Sequence, residues 1–159
     1  MAGALPWAGR RLLLPDFCTK GLSPDAKSPY LRRVAGGPSA TPAPLTYDPA
    51  NVFARILRRE LPTPLLHEDE HCVAFRDIAP QAPLHLLVIP RRPLRTLGEA
   101  GQADAALLGH LLLTGASLAR QLGHPEARVV INNGAAVGQS VFHLHVHVLA
   151  GRSFAWPPG

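Results

Sequence analysis

A chain of 159 residues with 16 Lys+Arg, 11 Asp+Glu and 47% hydrophobic residues has the size of one domain with an appendage and the composition of a folded protein. No apolar run reaches the roughly 18 residues that a membrane-spanning helix needs. Beyond residue 48 the charges nearly cancel, ten arginines against eight acids, without the clustered cationic stripe that a nucleic-acid polymer requires. Both lysines lie within the first 27 residues, which removes lysine-nucleophile chemistry from the folded part. Two cysteines, Cys18 and Cys72, make neither a disulfide framework nor a cysteine-based zinc site, and Cys72 reads as a small buried hydrophobe.

In chain order, residues 1–47 come first and differ from the rest. They hold seven of the seventeen prolines and no sustained periodicity. The opening MAGALPWAGRRLLL combines two arginines with apolar residues and no acid, the composition of a mitochondrial transit peptide. A disordered cytosolic extension is the alternative, with cytoplasmic or nuclear residence. Order is expected from residue 48. Asp48 can cap a short helix with Pro49 in its first turn and Val52, Ile56 and Leu57 along one stripe. Pro62 and Pro64 end it.

LLHED and CVAFRD then read as a hairpin around Glu70-His71, and LHLLVIP as a compact apolar strand closed by Pro90. Leu107, Leu108, Leu111, Leu112, Ala116, Leu118 and Leu122 recur at helical spacing over 103–122, with Gly123 as the stop. RVVIN is a strand, NNGAAVGQS a glycine-bearing loop, and VFHLHVHVLAG the last strand. Neighbouring strands with one long helix predict an α+β layer, an antiparallel sheet with helices packed on it.

The last strand carries His143, His145 and His147 at strict alternation. In an extended strand that spacing puts all three on one face, about 6.6–6.8 Å apart, with Phe142, Leu144, Val146 and Val148 on the other. Three readings compete. The row is a solvated face; or two of its imidazoles bind zinc with a third ligand such as His85; or an imidazole acts as a nucleophile on phosphorus while its neighbours handle protons and charge. The approach through Gly134, Gly138, Gln139 and Ser140 favours the last, because glycines let backbone N–H groups come close to an anion.

His143-Leu144-His145-Val146-His147-Val148-Leu149 matches the signature of the histidine triad superfamily. Together with FRDIAPQAPLHLLVIP, LLGHLLL, RVVINNG, GQSVFHLHVHVLAGR and the terminal WPPG, it makes residues 49–159 resemble the Hint branch, the histidine triad nucleotide-binding proteins. The long leader and Arg76 before Asp77 make the mitochondrial member of that branch the nearest likeness.

The resemblance implies a five-stranded antiparallel sheet with one long and one short helix, extended across a homodimer. It implies a purine nucleoside phosphoramidase that hydrolyses adenosine 5′-phosphoramidates, AMP-lysine included, with no cofactor or required metal. By match to the motif His145 is the nucleophile and forms a nucleotidyl-histidine. The carbonyl of His143 fixes its tautomer, and His147, His143 and His85 support charge and proton movement. Ser140 then meets the leaving amine, while Gly138, Gln139 and the Val141 amide approach the phosphate. Asp77 takes the ribose and Asn132 lies on the phosphate or ribose side. Val52, Phe53, Ile56, Phe75, Arg76 and Ile78 enclose the base, and Trp156 reaches the partner subunit's site. A nucleotide-binding interaction module and a dinucleoside polyphosphate hydrolase are the competing functions, with a metalloenzyme as the third.

Overall fold

A computed structural model describes residues 46–158; the expected leader lies outside them except for Thr46 and Tyr47. The first element is the short helix α1 (Val52–Leu57). Its N-cap is Asn51, whose side chain accepts the Ala54 N–H at 2.9 Å. Asp48, the cap expected from sequence, instead accepts the Ala50 N–H at 2.8 Å. Pro49 and Ala50 are spent on that turn, so the helix starts three residues after the proline. The inward residues are Phe53 and Ala54, with Ile56 and Leu57 partly covered; Val52, placed on the stripe by sequence, faces outward.

Strands β1 (Leu65–Glu68), β2 (Cys72–Arg76) and β3 (Leu84–Pro90) follow as an antiparallel meander. After two 3-10 turns comes α2 (Ala105–Gln121), then β4 (Ala127–Val130) and β5 (Val146–Ala150). The sheet order is β1-β2-β3-β5-β4, with every neighbouring pair antiparallel. No helix among the described residues is long and apolar enough to cross a membrane. The α+β layer is therefore as expected: five strands, one long helix and one short one.

The central strand β3 is buried along its whole length, because each face of the sheet is covered there. Leu84, Leu86 and Val88 point with Val146, Val148 and Ala150 of β5 toward α2. Leu87 and Ile89 point the other way, with Val73 and Phe75, toward Phe53 of α1. Alternation thus also assigns His85 and His147 to the α1 side. α2 packs through Leu111, Thr114, Gly115, Leu118 and Ala119. Leu112, Ala116 and Leu122, placed on the inward stripe by sequence, are exposed. The packed ridge runs 111–115–119 and 111–114–118, and Leu112 and Ala116 lie one position around from it.

The last strand is shorter than its sequence suggested. It begins at Val146, opposite Val88, rather than near Val141. Pro90 ends β3, so residues 143–145 have little ladder to join. They are tied individually: the Leu144 N–H donates to the Leu94 carbonyl at 2.6 Å and the His143 ring to the Pro90 carbonyl. This irregular entry sets the geometry of the histidines.

Candidate active site

The alternation of imidazoles survives in direction but not as an even row. The His145 and His147 ring centroids lie 4.9 Å apart and those of His85 and His147 5.1 Å apart. The pairing Leu87↔His147 and His85↔Leu149 makes the last two diagonal neighbours on one face. Three rings, from β3, β5 and the segment before β5, therefore meet, His145 edge-on to His147 and His85 tilted 35° from it. His143 sits apart, fully buried against Tyr47 and Phe53.

The hydrogen bonds fix the tautomers. Tyr47 donates its hydroxyl to His143 Nδ1 at 2.6 Å, so His143 Nε2 carries the proton given to the Pro90 carbonyl at 2.8 Å. The His143 carbonyl accepts Nδ1–H of His145 at 2.7 Å. The Nε2 lone pair of His145 is then unprotonated, and this atom makes no hydrogen bond among the described residues. The Gln81 N–H donates to His85 Nδ1 at 3.1 Å, which leaves His85 Nε2–H to donate to His147 Nδ1 at 2.8 Å. His147 must then carry its proton on Nε2, and that buried atom has no partner among the described residues. Two hydrogen-bonded chains thus end side by side, one in a free lone pair on His145 and the other in an unspent N–H on His147.

Burial pushes all four pKa values below the ordinary 6.5: His145 and His85 downward, and His143 and His147 to about 4. Bonds to carbonyls partly oppose this at His143 and His145, and the Asp77 charge does so at His145, His147 and His85. The rings are consequently neutral at pH 7, the state in which His145 can attack. The linkage to stability follows in sign. As pH falls below 6.5 the unfolded chain gains protons that the folded chain refuses, so stability is complete above about 6.5 and is lost toward 4. For fully buried His143 alone this loss is on the order of 3 kcal/mol. Urea melts at about pH 7 and pH 4.5 are expected to show most of it; equal stability at the two would contradict the assignment.

Around this cluster the other expected residues divide. Phe53 lies edge-on to His145 at 5.1 Å, and Phe75 is buried behind Phe53 at 5.9 Å. Ile56 and Val141 are partly buried against the same cluster. Asp77 follows β2, with one oxygen 3.5 Å from His85 Nε2 and the other accepting the Ala79 N–H at 2.8 Å. Arg76 and Ile78 are exposed at its sides. Gly138 adopts φ +92°, a left-handed conformation that a side chain would strain. Asn132 is the side chain that a Cβ on Gly138 would touch, and Ser140 is exposed at the loop's end. Trp156 is 84% exposed.

Two expectations meet opposing geometry. Gln139, assigned to phosphate, is buried and turned inward: Oε1 accepts the Gly134 N–H at 2.9 Å, and Nε2 donates to the Arg95 and Val141 carbonyls. Its amide is spent on bracing the loop. The His143 ring, assigned to charge and proton movement, has both nitrogens engaged, so its contribution to His145 runs through its carbonyl. Sequence reasoning passed over Tyr47, which lies at the edge of the leader. Its signal was weak: an aromatic beside Asp48 whose partner is 96 residues away. It also passed over Gln81, which acts through its backbone and carries no side-chain signal.

A metal has one place here. Asp77, His85 and His147 offer donor atoms within 4.8 Å of one another, whereas the three triad rings do not converge. Two of these donors are hydrogen-bonded to each other, His85 Nε2–H to His147 Nδ1, and Asp77 Oδ2 stands 3.5 Å from His85 Nε2.

Residues 58–154 match the HIT domain family. An uncharacterized HIT-like protein of Synechocystis is 55% identical over 109 residues, which cover 68% of this chain and 96% of the relative. A 14 kDa zinc-binding protein of Zea mays is 44% identical over 115 residues, 70% of this chain and 90% of the relative. Among solved structures, a HIT family hydrolase from Legionella pneumophila aligns with TM-score 0.67 at 40% identity, covering 69% of this chain and 99% of that one. A HIT family hydrolase from Clostridium thermocellum gives TM-score 0.65 at 37% identity, with 67% and 94% covered.

Proposed function

The chain belongs to the HIT domain family, and from that membership and the histidine geometry we propose that it is a hydrolase of purine nucleoside phosphoramidates. The observation that carries this reading is the state of His145: Nδ1–H held by the His143 carbonyl, Nε2 free, and the unpartnered Nε2–H of His147 on the adjacent ring. The Nε2 lone pair attacks the α-phosphorus, the P–N bond breaks, and the amine departs with a proton. The imidazole becomes positively charged as the nucleotidyl-histidine forms. The carbonyl already bonded to Nδ1–H strengthens its hold on that charge without moving, which lowers the barrier. His147 Nε2–H is a ready donor to a phosphate oxygen or to the leaving group. Water then displaces AMP from His145.

Substrate placement follows the same logic. Asp77 offers a carboxylate beside the histidine cluster for the ribose hydroxyls, with Phe53 and Phe75 as the apolar floor for the base. Asn132 and the Gly138–Val141 backbone flank the phosphate, and Ser140 stands on the amine side. The homodimer reading, in which Trp156 completes a neighbouring site, is supported by the exposed edge strand β4, by Leu112 and Leu113 on the outer face of α2, and by Trp156 itself. Mitochondrial residence rests on the leader's composition.

The maize relative is a zinc-binding protein, so the test carries a chelator arm. Purified full-length chain is expected to release amine and AMP from adenosine 5′-phosphoramidate at the same rate with and without chelator in the assay. A rate abolished by chelator and restored by zinc would favour the metalloenzyme; no turnover at all would favour a nucleotide-binding module.

A further inference from the structure

We propose that the β1–β2 turn and the facing side of α2 form a structural site for zinc or a similar divalent transition metal, with His67, Asp69, Cys72 and His110 as its ligands. These four residues lie outside the cluster built on His145. His67 comes from β1, Asp69 follows it, Cys72 opens β2, and His110 reaches over from α2. One atom of each, two imidazole nitrogens, a carboxylate oxygen and a sulfur, falls within 4.8 Å of the other three.

The donors converge on a single point. Asp69 Oδ2 accepts from His67 Nε2 at 2.8 Å and His110 Nε2 at 2.7 Å, and Cys72 Sγ stands 3.7 Å from the same oxygen. Tetrahedral zinc with ordinary Zn–N, Zn–O and Zn–S bonds keeps its ligand atoms about 3.2–3.8 Å apart, a small adjustment from these distances. The carboxylate is pre-set: Oδ1 accepts the His71 and Cys72 N–H groups at 2.8 and 2.7 Å, and Arg91 donates to the Asp69 carbonyl at 2.7 Å. His67, Asp69 and His110 are each partly open to solvent while Cys72 is buried, so an ion has an entry path and an anchored sulfur beneath it.

Charge balances as well. Cys72 loses its thiol proton to solvent on binding, and the two imidazoles move their protons to Nδ1 to free the Nε2 lone pairs. Thiolate and carboxylate then neutralise a dication, so no net charge is buried. With four protein ligands the site is closed to substrate, and its consequence is to staple the β1–β2 hairpin to α2. Two cysteines in the sequence gave no hint of this site, because one thiol becomes a ligand only when fold contacts bring His110 to it from 38 positions away.

Cobalt(II) added to the metal-free full-length protein separates the outcomes, since a thiolate-to-cobalt charge-transfer band reports sulfur ligation and the Asp77, His85 and His147 group contains no sulfur. One equivalent is expected to give that band with tetrahedral visible absorption, both displaced by zinc. Cys18→Ser is expected to keep the band and Cys72→Ser to lose it. His67→Ala and His110→Ala, substitutions at partly exposed positions, are expected to lose the tetrahedral absorption while circular dichroism shows them folded. Zinc is expected to raise the melting temperature of the parent and not of His110→Ala, with phosphoramidate turnover unchanged by its removal. A cobalt spectrum without charge transfer, or a band that persists in Cys72→Ser or disappears in Cys18→Ser, overturns the proposal. So does tetrahedral absorption retained in folded His67→Ala.

Discussion

His145→Ala is expected to lower the turnover of adenosine 5′-phosphoramidate by at least about 10³-fold, with AMP affinity changed by less than about tenfold. The asymmetry comes from what the side chain does. In the proposed mechanism His145 Nε2 supplies the bond to phosphorus, and neither neighbour can replace it. The proton that His147 carries on Nε2 leaves no lone pair there, and both ring nitrogens of His143 are occupied. In the proposed placement, binding rests instead on Asp77, the aromatic floor and the loop backbone, which the substitution leaves in place. Removing the ring also opens a space beside Phe53, and the variant's fold is therefore checked by circular dichroism before its kinetics are read. A variant that is folded, binds AMP and still turns over at the parental rate would remove His145 from the chemistry.

Gly115→Val is expected to destabilise the domain by about 3 kcal/mol and to lower its melting temperature by roughly 10 °C. Here α2 crosses β5 and β3 so closely that a Cβ on residue 115 would stand 2.7 Å from Val148 Cγ2 and 3.4 Å from Val88 Cγ2. Both valines are fully buried in the middle of the sheet, and β-branched side chains have few rotamers in which to retreat. The helix must lift instead, and Leu111, Leu118 and Ala119 lift with it. Replacing a helical glycine normally gains up to about 1 kcal/mol, so the sign of the effect distinguishes close approach from simple propensity. An unchanged or higher melting temperature in a circular-dichroism scan would show that α2 does not pack as described. Because Val148 follows His147, the same variant is expected to loosen the His85–His147 pair.

The legible and illegible parts of the sequence divide along physical lines. Strands were readable where apolar residues formed compact runs between breakers: Leu84–Pro90 is bounded by Pro83 and closes on its own proline. The long helix was readable in extent, but its buried face shifted by one position, because a sequence rich in leucine all round, Leu111, Leu112 and Leu113 included, does not say which leucine meets the sheet. Capping went to Asn51 over Asp48 because both are good caps and only the turn at Pro49-Ala50 decides between them. Alternation placed His145 and His147 on the correct side of the sheet. What it missed was that the strand begins only at Val146, so that His147 lies within it while His143 and His145 precede it, on a segment tied to Pro90 and Leu94 by single hydrogen bonds.

The same limit governs the side-chain roles. A glutamine beside a glycine loop looks like a phosphate donor until its amide is seen spent on three backbone groups. Tyr47 and His143, or Cys72 and His110, meet only through the fold, and no local pattern announces either pair. The family resemblance, by contrast, was carried by residues close in sequence, and for that reason it was visible without any structure.

The most direct test of the central claim is a single-turnover reaction of the full-length protein with adenosine 5′-phosphoramidate, quenched and digested for peptide mass spectrometry. Covalent catalysis through His145 predicts a transient adenylyl adduct on the peptide carrying His143, His145 and His147, localised to His145 by fragmentation and missing from His145→Ala. Turnover with no adduct at any quench time, or an adduct that persists in His145→Ala, would contradict it.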